Sequence, residues 1–348
     1  MSGSNIRIIM DSTCQKCQKF DNMKKTNRRE FIQQISIVGA STAAFSLNSL
    51  PAFAEQEIKK IGIIGLDTSH SEMFSKDINE GSLKDRGYRV VAAYPHGSKD
   101  IPSALGMKQG IIDAVKKMGI EIVDSIDSLL KKVDYVLLES NDGRVHLEQA
   151  EKVIKAKKPL FVDKPMAENL EKVKEIFELA AKNKVSIFSS SSLRYDKLVR
   201  EVKAGKIGKV LGADVYTPAE IEPNHIDQAW YMIHGVEMLF TVMGTGCKEV
   251  FRAYHPDFEQ VVGIWNDGRI GSVRGIRKGA SNIAGIAFGE TGISQLGPFA
   301  GYGPLVAEIL TFFDTGKPPV SKEETIEIFQ FMEAAQKSKI SHKVENLI

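Results

Sequence analysis

The sequence predicts an α/β fold, with a doubly wound parallel sheet first and an α+β domain with a mainly antiparallel sheet second. From Lys60 to Ser189, short apolar runs alternate with segments of helical periodicity, which is typical of the strands and helices of a parallel sheet. After Tyr195 this alternation stops, and short strand patterns with a hairpin signal take its place. The 348 residues are enough for two domains, each with its own core.

The first domain alternates predicted strands and helices in chain order. The apolar runs predict strands over 60–66, 89–94, 121–123, 134–139, 159–162 and 185–189. Between them, helical periodicity predicts helices over 71–79, 110–118, 126–131, 145–156 and 169–183. Alternation at this spacing favours right-handed crossovers and therefore a doubly wound parallel sheet.

The second domain mixes helices with short strands. Helices are predicted over 197–204, 228–243, 306–313 and 323–337, with a strand over 208–216 and several short strands between 248 and 287. Asn266-Asp267-Gly268 is a good hairpin signal. We therefore divide the chain into an N-terminal extension over 1–54, a first domain over 55–195 and a second domain over 196–348 that includes the C-terminal helices.

Composition excludes several classes of protein. The net charge of +2 comes from 46 basic and 44 acidic residues, and no basic stripe dominates, so a nucleic-acid partner is not expected. Outside the N-terminus no apolar run is long enough to span a bilayer, so we expect no stable membrane anchor. Cys14 and Cys17 form a CxxC without a second ligand pair nearby, and Cys247 is alone, so neither a disulfide framework nor a metal site is predicted.

The N-terminal extension has the parts of an export signal. Paired arginines at 28–29 precede a moderately apolar segment over 35–50 and a small-residue cleavage pattern over 51–54. With Phe31 two residues on, the arginine pair resembles a twin-arginine signal, which exports folded proteins. We therefore expect a periplasmic or otherwise exported protein, the twin-arginine translocase as a partner and a mature start near Glu55. A basic amphipathic tail or a membrane anchor is the alternative.

The segment 160–165, Leu-Phe-Val-Asp-Lys-Pro, marks a candidate site. A buried parallel strand ends here in Asp163, Lys164 and Pro165, and a long helical pattern follows. Ligands of doubly wound sheets bind at the carboxyl ends of the strands, so Lys164 is expected to point into a site. The alternative is an ordinary strand-to-helix turn with a solvated lysine.

This order of elements, with an acid-Lys-Pro turn after the fifth strand, resembles the glucose–fructose oxidoreductase and inositol dehydrogenase family (Gfo/Idh/MocA). Three further stretches are similar to the family: Ser-Leu-Arg-Tyr at 192–195, Trp-Tyr-Met-Ile-His-Gly-Val-Glu at 230–237, and the ending over 318–335. The likeness covers nearly all of the chain after Glu55.

The resemblance implies a Rossmann-like dinucleotide-binding first domain, NAD or NADP as cofactor, and a sugar, polyol or derivative bound between the domains. Lys164 and His234 would be catalytic, with His234 taking a hydroxyl proton and the Lys164 ammonium favouring the developing alkoxide. Arg194, Tyr231 and Glu237 would bind substrate. The resemblance also implies a homo-oligomer. The cofactor would be bound by Gly65, Asp67, Thr68, Ser69, His70, Asn141, His146, Asp163, Lys164 and Pro165.

The first turn departs from the dinucleotide fingerprint G-x-G-x-x-G. Gly65 is present, but Asp67 stands in the place of the second glycine and His70 in the place of the third. A carboxylate facing a pyrophosphate ~4 Å away would cost roughly 4 kcal/mol at an effective dielectric of about 20. Hydroxyl donors from Thr68, Ser69 and Ser71 could compensate, or Asp67 could cap the helix and point away.

Other functions stay open at this point. A glycoside hydrolase or lyase could use NAD transiently with the same lysine and histidine. A non-enzymatic carbohydrate-binding protein is favoured by Asp67 and by Tyr94, which ends the second strand where an acid would hold the ribose. A metal role for Asp67, His70 and His146 is a further alternative, although their spacing does not force them together.

Overall fold

A computed structural model describes residues 57–347, and the first sheet in it is six-stranded, parallel and ordered β3-β2-β1-β4-β5-β6. The doubly wound parallel sheet predicted for the first domain is therefore confirmed. Its strands are β1 Lys59–Ile64, β2 Tyr88–Tyr94, β3 Glu121–Ile122, β4 Tyr135–Leu138, β5 Leu160–Val162 and β6 Ile187–Ser189.

Helices cover both faces of this sheet. They are α1 Ser69–Asn79, α2 Pro102–Lys117, α3 Ile126–Leu130, α4 His146–Lys155 and α5 Leu170–Asn183. The side chains of β1 point alternately to the two faces of the sheet. Ile61 and Ile63 pack with Phe74 of α1 in one hydrophobic cluster, and Ile64 packs with Val136 in a second cluster. The near-continuous apolar strands of the sequence reflect this burial on two faces.

The second sheet has seven strands in the order β12-β11-β7-β10-β9-β8-β13. The strands are β7 Val210–Pro218, β8 Cys247–His255, β9 Phe258–Trp265, β10 Ile270–Ile276, β11 Ala284–Gly289, β12 Ile293–Leu296 and β13 Glu345–Asn346. Only β7 and β10 pair in parallel, so the mainly antiparallel sheet is confirmed. Gly268, at φ 83°, closes the predicted hairpin between β9 and β10.

The remaining helices tie the two sheets together. They are α6 Lys197–Lys203, α7 Asp227–Trp230, α8 Ile233–Met243, α9 Gly303–Thr315 and α10 Lys322–Ser341. The helix predicted over 228–243 is two helices, because the backbone leaves helical geometry at Tyr231. Although α9 follows the second sheet in the chain, its Leu305 and Ile309 pack in the cluster of Ile61 and Phe74. The domain boundary placed at 195/196 remains a prediction.

The predicted export signal and the CxxC lie outside the described residues. Within the described part of the chain, no helix combines the length and the apolar character needed to cross a bilayer.

Candidate active site

A cavity of about 470 Å³ opens at the carboxyl ends of the first sheet. The first domain contributes Thr68, Ser69, His70, Ser103, Met107, Asn141 and Lys164 to its wall. The later part of the chain contributes Glu220, Ile221, Glu222, Trp230, Tyr231, His234 and Tyr302. Its volume lies within the range of small-molecule sites, and its polar groups converge on one space. Both residues predicted to be catalytic, Lys164 and His234, line it.

Lys164 follows β5 directly and is 8% exposed. Its backbone N–H donates to Oδ1 of Asp163 at 2.8 Å, which fixes the turn. The peptide bond from Lys164 to Pro165 is cis. No hydrogen bond or ion pair with another residue of 57–347 holds the ammonium, so it remains available to a ligand in the cavity.

His234 lies in the first turn of α8 and is 6% exposed. Its Nδ1 is 2.7 Å from Oγ of Ser191, and its ring stands edge-on to Tyr231 at 5.2 Å between centroids. Burial lowers the pKa of His234 well below its ordinary value, and the positive charges of Lys164 and His70 lower it further. The imidazole is therefore neutral near pH 7 and can accept a proton, as a general base must.

His70 is held by Asp163 across the ends of β1 and β5. Its Nδ1 lies 2.6 Å from Oδ2 of Asp163, and its ring contacts Phe74 and Tyr302. Burial opposes the ionisation of Asp163, but His70 and Lys164 hold its pKa below the ordinary value. Glu139, at the end of β4, is fully buried close to both groups, with ligand-type atoms of the three side chains within 4.8 Å of one another.

Asp67 does not face the cavity. It is fully buried, and its carboxylate accepts hydrogen bonds from the backbone N–H of Ser98 at 2.6 Å and of Asn141 at 3.1 Å. A Cβ at Gly97 would lie 2.5 Å from the carboxylate oxygens, so a glycine is needed there. The carboxylate thus joins three strand ends, and its charge is stabilised by backbone donors instead of opposing a pyrophosphate.

The turn after β1 keeps the features that a dinucleotide needs. Gly65 has φ +91°, and a Cβ on it would overlap the backbone of Ser140. Thr68, not Asp67, caps α1, with its side chain accepting from the N–H of His70 at 3.5 Å. Thr68, Ser69 and Asn141 offer polar groups to the cavity beside the N-terminus of α1, a position that favours phosphate. These residues fit a nicotinamide dinucleotide.

Arg194, at the end of the first domain, is paired in the interior with Glu237 of α8. The guanidinium of Arg194 contacts Glu237, donates to Thr241 at 3.1 Å and forms an ion pair with Glu324 at 2.5 Å. Arg194 and Glu237 are 3% exposed, and neither lines the cavity. Of the three predicted substrate-binding residues, only Tyr231 lies at the cavity wall.

His146 is held by the backbone. Its Nε2 lies 2.7 Å from the carbonyl oxygen of Ser140, and its Nδ1 lies 3.2 Å from that of Met166. Both nitrogens therefore face backbone carbonyl oxygens, and the fully buried ring joins the turn after β4 to the segment after Pro165. Of the residues predicted to bind cofactor, Gly65, Asp67, His146, Asp163 and Pro165 do not line the cavity, whereas Thr68, Ser69, His70, Asn141 and Lys164 do.

Sequence reasoning missed several residues of the site. Ser191 was inconspicuous within a run of serines, and its contact with His234 joins positions 43 residues apart. Glu139 ends a strand where an acid is expected to be solvated. Tyr302 covers the start of α1 and hydrogen-bonds Ser69, but it stands in a loop without a readable motif. Glu220 and Glu222 lie in a loop whose fold the sequence does not specify.

One known family matches most of the first domain. Residues 59–191 match the model of the Gfo/Idh/MocA oxidoreductase family, described as its NAD-binding Rossmann fold. This match supports an NAD(P)-dependent oxidoreductase activity, with NAD or NADP as the cofactor. No protein of curated function matches the chain.

Solved structures share the fold over both sheets. A probable dehydrogenase from Thermotoga maritima is 21% identical at a TM-score of 0.68, covering 83% of this chain and 98% of that one. The scyllo-inositol dehydrogenase from Lactobacillus casei with bound NAD(H) and scyllo-inositol is 16% identical at a TM-score of 0.67, and the match covers 84% of this chain and 99% of that one. The myo-inositol 2-dehydrogenase from Lactobacillus plantarum is 16% identical at a TM-score of 0.68, and the match covers 84% of this chain and 100% of that one. At these identities the likeness shows the Gfo/Idh/MocA two-domain fold alone.

Proposed function

We propose that this protein oxidises a hydroxyl of a sugar, polyol or related derivative with NAD or NADP in the cavity between Lys164 and His234. The observation that carries the proposal is the placement of these two side chains in one cavity at the carboxyl ends of the sheet. A nicotinamide, when bound, accepts a hydride from the carbon that carries the hydroxyl.

The chain's own groups handle the proton and the charge. His234 is neutral and is oriented by Ser191, so it takes the hydroxyl proton as the hydride leaves the carbon. The Lys164 ammonium stabilises the negative charge that develops on the substrate oxygen. Tyr231 and Tyr302 line the cavity beside these groups and add ring surface that limits the water around them.

The cavity wall supports a polyhydroxylated substrate. Glu220 and Glu222 offer carboxylates that accept hydrogen bonds from hydroxyl groups. Trp230 and Tyr231 add aromatic surface against which a ring can pack. Two of the similar structures are dehydrogenases of inositols, which agrees with a cyclic polyol or sugar for this chain.

The experiment is a panel of inositols, linear polyols and sugars with NAD+ or NADP+, followed by formation of reduced nicotinamide. We expect substrate-dependent reduction, and a fall in kcat of roughly 10²–10⁴-fold for His234→Ala. The loss of one charge-stabilising group in Lys164→Met should cost roughly 10²–10³-fold. Turnover without net nicotinamide reduction would instead favour the hydrolase or lyase alternative, and no turnover with any substrate class would contradict the proposal.

We also propose export by the twin-arginine translocase, on the strength of the paired arginines at 28–29 and the cleavage pattern over 51–54. Replacement of both arginines by lysine should leave uncleaved precursor in the cytoplasm. Normal export of that variant would refute the route.

We propose further that two copies of the chain pair through the second sheet. One face of this sheet packs on α8 and α10, whereas the other presents apolar side chains to solvent. Those more than a third exposed include Leu211, Tyr216, Phe251, Phe258, Ile270, Ile286, Phe288 and Ile293. So many exposed large apolar side chains on one sheet face are unusual on a monomer, and a sheet face can meet its own copy about a two-fold axis.

A further inference from the structure

Three ionisable side chains converge beside the cavity from neighbouring strand ends. His70 follows β1 at the start of α1, Glu139 follows β4 and Asp163 follows β5, and these three strands are adjacent in the sheet. One nitrogen or oxygen of each residue lies within 4.8 Å of the others. Their exposures are 6%, 0% and 2%, so the cluster is shielded from solvent.

Glu139 is the unusual member of this cluster. Both of its carboxylate oxygens are fully buried, and no donor among residues 57–347 gives a hydrogen bond to either of them. Asp163 brings a second carboxylate close by, and the Lys164 ammonium makes no hydrogen bond to Glu139. A buried carboxylate without a partner generally lowers the free energy of unfolding by several kcal/mol. A cation bound between Glu139 and Asp163 would remove this penalty.

We propose that His70, Glu139 and Asp163 bind one divalent transition-metal ion, with zinc as the best match. Imidazole nitrogen and carboxylate oxygen are both zinc ligands, and three protein ligands leave a fourth position open. The two carboxylates balance the charge of a divalent ion.

The ion requires the imidazole of His70 to move, and it requires Glu139, whose ligand atom lies within 4.8 Å of the other two, to approach by up to about 1.5 Å. Nδ1 of His70 and Oδ2 of Asp163 are 2.6 Å apart and share a hydrogen bond. With metal–ligand bonds of about 2.0–2.2 Å, tetrahedral ligand atoms lie about 3.3 Å apart. The imidazole must therefore exchange its Nδ1 proton for the ion and move from the carboxylate by about 0.7 Å. The other oxygen of Asp163 keeps its bond to the N–H of Lys164 at 2.8 Å.

A proton on Glu139 is the competing way to complete the cluster. Burial and the charge of Asp163 raise the pKa of this carboxyl well above its ordinary value, which Lys164 opposes. A proton would neutralise Glu139, but it would not link the imidazole of His70 to both carboxylates. A metal ion engages all three side chains at once.

The test measures metal directly and does not depend on dehydrogenase activity, so its failure would leave the proposed function intact. The full chain is purified without chelator, its zinc content is determined, and the stripped protein is titrated with Co²⁺ while its visible absorption is followed. We expect one ion per chain and a spectrum of nitrogen and oxygen ligation. Thiolate charge-transfer bands would instead identify Cys14 and Cys17 as the ligands.

Matched variants make the outcome decisive. Glu139→Gln keeps the shape of the side chain and should weaken Co²⁺ binding at least about tenfold, since even outer partners of metal sites cost that much. Glu222→Gln, at the cavity wall but outside the cluster, should bind as the wild type does. If Glu139→Gln does not fold, His70→Gln takes its place as the variant that removes one ligand. Equal affinity in wild type and cluster variants, or no binding up to millimolar Co²⁺ and Zn²⁺, would overturn the proposal.

Discussion

The Oγ of Ser191 lies 2.7 Å from Nδ1 of His234, with both residues buried. Because Nδ1 is engaged, Nε2 is the nitrogen left for a substrate proton, and the ring is fixed in orientation. In Ser191→Ala we expect kcat to fall about 10–100-fold, a part of the roughly 10²–10⁴-fold that a positioned base contributes. KM should change little, and steady-state kinetics measure both.

A conservative variant separates orientation from packing. Ser191→Thr keeps the hydroxyl and should retain most of kcat, whereas the alanine variant also loses the cap on the N–H of Leu193 at 3.3 Å. If the alanine and threonine variants lose activity equally, the hydroxyl does not orient His234.

The imidazole of His234 should stay neutral well below the pH at which histidine ordinarily titrates. Burial is the main cause of its lowered pKa, and Lys164 is the second. In ¹³C-labelled protein, NMR titration of the seven histidines, assigned with His234→Asn, should show this ring protonating last as the pH falls. Lys164→Met should raise its pKa. A His234 that titrates near pH 6.5 in the wild type contradicts the environment described.

Asp196 should make stability depend on pH. Its Oδ1 accepts from the N–H of Ala300 at 3.0 Å, and its Oδ2 is buried with no partner among residues 57–347. Burial raises the pKa of this carboxyl from 3.8 to about 6. A raised pKa means that the folded state holds the proton more tightly. The stability it contributes is full below pH 3.8 and is lost as the pH rises through about 6.

Asp196→Asn should therefore raise the free energy of unfolding at about pH 8 by about 1–2 kcal/mol, with allowance for residual solvent near the carboxyl. Near pH 4 the variant and the wild type should be equally stable, because the wild-type carboxyl is then protonated in the folded state. Urea denaturation at both pH values measures the difference. Parallel stability curves for the two proteins would show that Asp196 is solvated.

The open face of the second sheet should carry the contact between subunits. Ile286→Lys combined with Ile270→Lys places two charges on this face and should shift the protein to a single-chain mass in light scattering. Ile340→Lys is the matched control, since Ile340 is 75% exposed but lies on α10 away from that face. A wild type that is monomeric at all concentrations, or a charged variant that still pairs, would refute this interface.

Apolar periodicity was enough to predict both sheets, because it reports burial directly. It could not show the break at Tyr231 between α7 and α8, because α7 is only four residues long and α8 is buried at every position, so neither has a distinct apolar face. The cavity was predictable from Lys164 and His234, because the ends of parallel strands meet at one edge.

Long-range polar contacts were not predictable. Asp67 was expected either to oppose a phosphate or to cap α1, and it does neither, since its partners are backbone N–H groups of Ser98 and Asn141 from distant loops. Arg194 carries a charge suited to a substrate, yet Glu237 and Glu324 neutralise it in the interior. Sequence reveals the type of group, and only the fold decides which partner it meets.

We expect the turn from Gly65 to His70 to bind a nicotinamide cofactor beside His234. Titration of the purified protein with NADH and NADPH, followed by calorimetry, tests it most directly, after mass spectrometry of any nucleotide released on denaturation. We predict one nucleotide bound per chain, with affinity largely kept in His234→Ala. Protein that releases no nucleotide and binds neither form at millimolar concentration would contradict the account.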